Sequence, residues 1–249
     1  MLIDNLPGGY RFLQGIEPYS CGVVALPGYE IVHVILREPI PWRAGFARID
    51  AALQQATRDR IALCAIQLRS PAPWSMAGFI DFNRTYCAIL EEWGLYVDGL
   101  NPIARTNVAP QFEAPAEPVL HAFSYTVPAV STASPTFIVA GAGEVEGSIL
   151  EEERILRSGE TGADAMREKA THVMATMDQR LRGLGCRWQD VTAIDVYTIH
   201  PIDDYIRQTV LARIGPARRQ GFNWLHSRPP VIDIEFEMDM RGIGVERRQ

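Results

Sequence analysis

The sequence predicts an α+β fold in which two small domains follow one another, residues 1–129 and 130–249, each a mixed sheet with two helices on one face. Three observations carry that expectation. The second half reads strand, helix, strand, helix, strand; the first half repeats the order; and a stretch of linker composition, Pro128-Ala-Val-Ser-Thr-Ala-Ser-Pro135, lies between them. Corresponding strands begin near residues 61 and 191, about half the chain apart, and an internal duplication is the simplest account of that spacing.

In the first half, Tyr29 to Leu36 is rich in β-branched residues and reads as a strand, and Ala44 to Ala56 as a short helix. A second strand, Ile61 to Leu68, ends in Ser70-Pro-Ala-Pro. Phe79, Phe82, Tyr86, Ile89, Leu90 and Trp93 then mark one face of a second helix, and Pro118 to Thr126 closes the half as a strand. In the second half, Pro135 to Ala140 is a strand that stops at Gly141-Ala-Gly. Met166, Val173, Met177, Leu181 and Leu184 recur at helical spacing, with an N-cap near Thr161 and a stop at Gly185. Val191 to His200 reads as a strand before Pro201, and a helix is expected from Asp203 to about Ile214.

The last strand, Val231 to Met240, alternates Ile232, Ile234, Phe236 and Met238 with Asp233, Glu235, Glu237 and Asp239. Four carboxylates along one face would repel one another in a dry core, so that face belongs on a surface or in a wet cleft. A small sheet with helices on one side leaves its other side bare. Pairing of halves and of subunits is therefore expected, with any site lying between them.

Composition narrows the function. The chain has 249 residues, 47% of them hydrophobic and 22% charged, with a formal net charge of −6. These values exclude disorder and collagen-like structure. No apolar run approaches the roughly 20 residues that span a bilayer, and Met1 to Gly9 lacks the basic and apolar regions of a secretory signal. A cytoplasmic protein with no membrane association is expected. The acidic pI of about 5.4 argues against binding nucleic acid through its phosphates. Cys21, Cys64, Cys87 and Cys186 are far apart, and His33, His121, His172, His200 and His226 are scattered, so no metal-ligand spacing exists and buried thiols are expected. There is no dinucleotide fingerprint, phosphate loop or nucleophile elbow; Gly141, Gly143 and Gly147 are a lone glycine cluster.

Several short segments together resemble the RidA/YjgF/UK114 imine deaminases, once labelled endoribonuclease L-PSP. Gly15-Ile-Glu-Pro-Tyr-Ser-Cys-Gly is similar to that family's opening G-P-Y-S segment, and Phe79-Ile-Asp-Phe-Asn-Arg-Thr-Tyr to its second helix. Asn101-Pro-Ile-Ala-Arg-Thr-Asn-Val resembles its P-A-R-[ST]-x-V motif, Ile138-Val-Ala-Gly-Ala-Gly-Glu its S-G-Q-I-P turn, and Ile234-Glu-Phe-Glu-Met its terminal strand. The resemblance implies a chorismate-mutase-like pair of domains and a homo-oligomer, a trimer in that family. It also implies hydrolysis of a small imino or enamino carboxylic acid without metal or cofactor. Carried over, Arg105 would hold the substrate carboxylate, a two-point contact that lysine cannot reproduce. Tyr19, Asn107, Gly141 and Ala142 would line the pocket, and Glu144, Glu235 or His121 would handle protons.

Neither half carries a full set of these residues. Arg37-Glu-Pro-Ile-Pro replaces the glycine turn in the first half, and the second half lacks both P-Y-S and an equivalent of Arg105. Two readings follow. Either Arg105 faces the Gly141–Glu144 turn, within the chain or across subunits, and the two half-sites make one; or the fold is a non-catalytic small-acid-binding or scaffolding protein with degenerate sites. RNA cleavage has no support in the residues, which offer no basic aromatic surface.

Overall fold

The computed structural model describes residues 1–129, 134–147 and 151–249. The strands are β1 (Leu2–Asn5), β2 (Tyr10–Leu13), β3 (Gly22–Ala25), β4 (Tyr29–Pro41), β5 (Leu63–Arg69), β6 (Ala104–Pro110), β7 (Val119–Pro128), β8 (Phe137–Gly143), β9 (Ala193–Tyr197), β10 (Asn223–Leu225), β11 (Ser227–Arg228), β12 (Glu237–Gly242) and β13 (Val245–Arg248). The α-helices are α1 (Trp42–Gln55), α2 (Met76–Glu92) and α3 (Ala163–Gly183).

The strands form two mixed sheets. One has seven strands in the order β1-β2-β3-β8-β12-β9-β10, and the other six in the order β11-β6-β5-β7-β4-β13. They pack face to face, with β3 and β8 of the first against β4 and β6 of the second. Tyr10, Phe12, Val23, Ile31, Ala104 and Ile138 fill part of the space between. α1 and α2 cover the outer face of the six-stranded sheet through Trp42, Phe46, Ile49, Tyr86 and Leu90. α3 covers the outer face of the seven-stranded sheet through Met166, Ala170, Val173, Met177 and Leu181. Each sheet thus buries both faces inside one chain, with helices outside and the partner sheet inside.

This corrects the expected pair of tandem RidA-like domains with two helices each. Strands cross between the halves of the sequence: β3 pairs with β8, β11 with β6 and β13 with β4. The seven-stranded sheet has one long helix, not two. Over the stretch expected to be helical from Asp203, regular structure is confined to a π-helical turn at Arg207–Leu211 and a 3-10 turn at Gly215–Arg219. Ile202, Ile206, Val210 and Ile214 are all buried, and the segment is wound by hydrogen bonds of mixed span, from the Ile206 amide to the Ile202 carbonyl four residues back and from the Ala212 amide to the Arg207 carbonyl five back.

The last strand also begins later than expected. Residues 231–236 form a turn in which Asp233 takes a φ of 71°, and regular pairing starts at Glu237. β4 instead runs past the expected end at Leu36 to Pro41, with a register shift between Ile35 and Ile40. Residues 130–133 of the expected linker lie outside the described residues. Among the described residues no helix is long and apolar enough to cross a membrane.

Candidate functional site

A cavity of about 490 Å³ opens where β6, the loop before β3, β8, β12 and one side of α3 converge, a volume within the range of small-molecule sites. Arg105 and Asn107 reach it from β6, Tyr19 and Cys21 from the loop, Gly141 to Gly143 from β8, Glu237 from β12, and His172, Thr176 and Arg180 from α3. Strands from both sheets, β6 of one and β8 and β12 of the other, therefore meet a helix from the second half at one space.

Arg105 is 3% exposed, yet it pairs with no carboxylate among the described residues. Its Nη2 donates to Asn83 Oδ1 at 2.6 Å, and Nη1 has no partner. Three rings surround the guanidinium, with Tyr86 at 4.7 Å, Tyr19 at 4.9 Å and Phe79 at 5.5 Å from centroid to Cζ. The rings hold it by cation–π attraction and keep water off it. A buried cation with an unspent donor lacks its anion. Asn107 has the same character: its Oδ1 accepts from Ser70 Oγ at 2.8 Å, while Nδ2 is unpaired.

Local sequence explains the placement. Ser75 caps α2 by accepting from the Gly78 amide at 3.1 Å, which starts the helix where Phe79, Asn83 and Tyr86 share its buried face. The Tyr19 loop is tied down by Ser20, whose amide and Oγ donate to the carbonyls of Ile103 and Pro102 at 2.9 Å each. Arg180 is fixed by two bonds from Nη1, to the Ala140 carbonyl at 3.0 Å and the Gly141 carbonyl at 3.1 Å.

Glu237 is the carboxyl of the site. It is buried, and its pKa is raised well above the usual carboxylate value. Burial is the main cause, with Asp239 and Glu144 adding to it and Arg180 and Arg105 opposing. Burial likewise raises the Tyr19 pKa, against the pull of Arg105 and Arg180. An acid whose pKa burial raises, a phenol and two guanidinium groups thus border one cavity. Such a set can bind a carboxylate and move a proton to or from a neighbouring atom.

Of the residues expected from sequence, Arg105, Tyr19, Asn107, Gly141 and Ala142 line this cavity, and Glu144, Glu235 and His121 do not. Glu144 is fully buried beside it: its carboxylate pairs with Lys169 Nζ at 3.1 Å and accepts from the Glu235 and Phe236 amides at 2.6 and 3.0 Å. Glu235 faces His200 Nε2 at 2.7 Å. His121 sits on β7 within reach of the charges of Arg69, Asp195 and Arg241, and burial lowers its pKa to about 3. Sequence reasoning missed Glu237 as a site residue, along with Arg180 and Asn83. The acidic stripe did contain Glu237, but nothing in the alternation marks which member turns inward.

Among the described residues no three His, Cys, Asp or Glu side chains gather as a metal site. Cys21, which borders the cavity, and the buried Cys64, Cys87 and Cys186 are all free thiols.

Comparisons with known proteins bear on this arrangement. A 2-amino-5-chloromuconate deaminase of Comamonas testosteroni is 41% identical over 238 residues, which is 95% of this chain and 94% of that protein. A crystal structure of a chorismatase superposes with a TM-score of 0.52 at 15% identity, covering 96% of this chain and 78% of its own, a likeness of fold. A cyanuric acid hydrolase gives a TM-score of 0.40 at 10% identity, over 86% of this chain and 67% of its own. The family model described as 2-aminomuconate deaminase CnbZ matches residues 2–247. This overturns the assignment to RidA/YjgF/UK114, because the family that accounts for nearly the whole chain is a different one. The trimer and the endoribonuclease label rested on that assignment alone. The segments that suggested it are short pieces of loop, strand and helix, none of them specific to one family. The chain belongs to the family of the 2-aminomuconate deaminase CnbZ.

Proposed function

We propose that this protein hydrolyses the enamine of a small unsaturated amino acid of the 2-aminomuconate type, releasing ammonia and leaving the 2-oxo acid. The observation that carries the reading is the buried Arg105 guanidinium, boxed by three rings and bonded among the described residues only to Asn83, with Nη1 unspent at the wall of the cavity. The names of the family and of the 41% identical relative supply the substrate class.

The substrate carboxylate beside the amino-bearing carbon accepts from Nη1 of Arg105 and the unpaired Nδ2 of Asn107. Glu237, whose pKa burial raises, gives its proton to the enamine carbon chain, so that C=C–NH2 becomes C–C=NH2⁺. Water adds to the iminium carbon and loses a proton to the Glu237 carboxylate, forming a carbinolamine. That proton passes to nitrogen, the C–N bond breaks, and ammonia leaves. The remaining O–H proton returns to the Glu237 carboxylate as the carbonyl forms, so water supplies the oxygen, the acid is regenerated and the balance closes.

The test is ammonia release from freshly generated 2-aminomuconate by the native protein and by Arg105→Met and Arg105→Lys. Both variants should lose at least about 100-fold in kcat/KM, since lysine offers one point of contact where the guanidinium offers two. Native rates in Arg105→Met would overturn the reading.

A further inference from the structure

We infer that Arg180 is a specificity-determining residue that binds a second carboxylate, so that the cavity selects dicarboxylic acids over monocarboxylic ones. The inference rests on the proposed function for its substrate class, but its geometry is independent of Arg105.

Arg180 stands in the last turn of α3 and borders the same cavity from the opposite element. Its two backbone bonds engage only Nη1. The other edge of the guanidinium, Nε and Nη2, has no hydrogen-bond partner and no carboxylate among the described residues. The neighbouring cations of α3 are instead spent on nearby acids: Arg182 on Asp178, and Arg167 on Asp164 at 2.9 Å. An Nε–Nη2 edge is the fork that meets a carboxylate at two points. Fixing Nη1 to the carbonyls of β8 prepays the ordering of a long side chain, which is the cost that weakens most arginine contacts.

Charge supports the same reading. Arg105 and Arg180 both act on the Glu237 carboxyl and on the Tyr19 hydroxyl, so the two guanidinium groups flank one space. Burial raises the pKa of Glu237 well above its ordinary value, so that carboxyl offsets the charges of the two arginines less than an exposed carboxylate would. A monoanion satisfies one of them and leaves the other facing the ligand unpaired. A dianion with carboxylates at both ends satisfies both. Arg105 would take the carboxylate next to the amino group, and Arg180 the far one.

The experiment separates binding from turnover. Binding of muconate, a six-carbon diacid, and of sorbate, the corresponding monoacid, is measured by calorimetry on the native protein, Arg180→Met and Arg180→Lys. The native protein should prefer muconate by at least about 10-fold, a ratio expected for one charge-assisted contact. In Arg180→Met the preference should vanish through weaker muconate binding, with sorbate unchanged, and Arg180→Lys should restore part of it. Equal loss of both ligands would mean that Arg180 only ties α3 to β8, and an unchanged preference in Arg180→Met would equally overturn the inference. Because neither ligand turns over, the outcome stands whether or not ammonia is released. Loss of deamination in Arg105→Met alongside an intact diacid preference in Arg180→Met would sink this inference and leave the deaminase reading standing.

Discussion

Arg105 and Glu237 divide the labour of the cavity, and each depends on a neighbour for its state. Arg105 has Asn83 as its only hydrogen-bond partner among the described residues. Asn83→Ala should therefore raise KM about 10-fold with a smaller change in kcat, because the guanidinium loses its orientation but keeps its charge. Asn83→Asp should weaken binding further, since a carboxylate there would occupy the site's own cation; steady-state kinetics on both variants checks this. For Glu237, Gln keeps the shape and removes the proton, so Glu237→Gln should lower kcat by about 10²- to 10⁴-fold. In the native enzyme the acid acts in its protonated form, so kcat should fall as pH rises through its elevated pKa, a limb that Glu237→Gln removes. A kcat for Glu237→Gln within twofold of native would exclude it as the acid. At this scale the sequence was legible in part. Arg105 stands out only through the likeness of Ala104-Arg-Thr-Asn-Val to the RidA motif, and it lines the cavity although that family assignment is overturned. The sequence was opaque where inward and outward positions differ only by backbone geometry: the positive φ at Asp233 ends the simple alternation, which sends Glu235 to His200 and Glu237 into the cavity.

The elements hold these side chains by close contacts that leave no spare volume. Gly141 on β8 faces the Glu237 carboxyl so closely that a Cβ there would meet Oε1, with Thr106 closing the other side at 3.1–3.2 Å. Its φ is ordinary, so Gly141→Ala strains no backbone and acts through the clash alone. The variant should fold, lose about 1–3 kcal/mol of stability as an overpacked site does, and lose at least about 10-fold in kcat as the carboxyl is displaced. Native kcat with a native melting temperature would show that Glu237 has room to move. Behind the cavity, the fully buried Lys169–Glu144 pair joins α3 to the turn before β12. Lys169→Met strands the carboxylate and should cost about 3–5 kcal/mol in urea unfolding. Most elements were readable from periodicity, α3 and β5 most directly. The helix expected from its start after Pro201 is instead a π-helical turn, and the later start of β12 followed from a turn whose cap, Glu144, lies some 90 residues away in sequence.

The whole molecule buries its polar groups between two sheets, a layer that the sequence could not show because it depends on which sheets face each other. Arg241 pairs there with Asp195 at 2.7 Å, Tyr197 donates to Asp239 at 3.1 Å, and His33 Nδ1 meets Ser124 Oγ at 2.8 Å. This layer sets how stability responds to acid, because its groups have been shifted in opposite directions. Burial lowers both His33 and His121 to about 3. Their unfolded forms bind protons below about 6.5, so each withdraws stability as pH falls from there to about 3. Burial raises Asp239 to about 7 and Glu237 well above its ordinary value. Those folded carboxyls take up protons before their unfolded counterparts, so each adds stability as pH falls to about 4, where the unfolded carboxyls are also protonated. Two losses and two gains nearly offset each other between about pH 6.5 and 4. Below that the gains are complete while the histidines continue to lose, and ordinary ion pairs such as Asp50–Arg60 begin to titrate. The native protein should therefore show nearly constant unfolding free energy from pH 6.5 to 4 and a steep fall beneath. Removing both titrating carboxyls with Glu237→Gln/Asp239→Asn should leave the histidines uncompensated, so that the decline starts near pH 6.5. Urea denaturation of both proteins at half-unit steps from pH 7 to 3 checks this. Parallel curves would mean that the inner layer does not hold these groups in the states that its burial dictates.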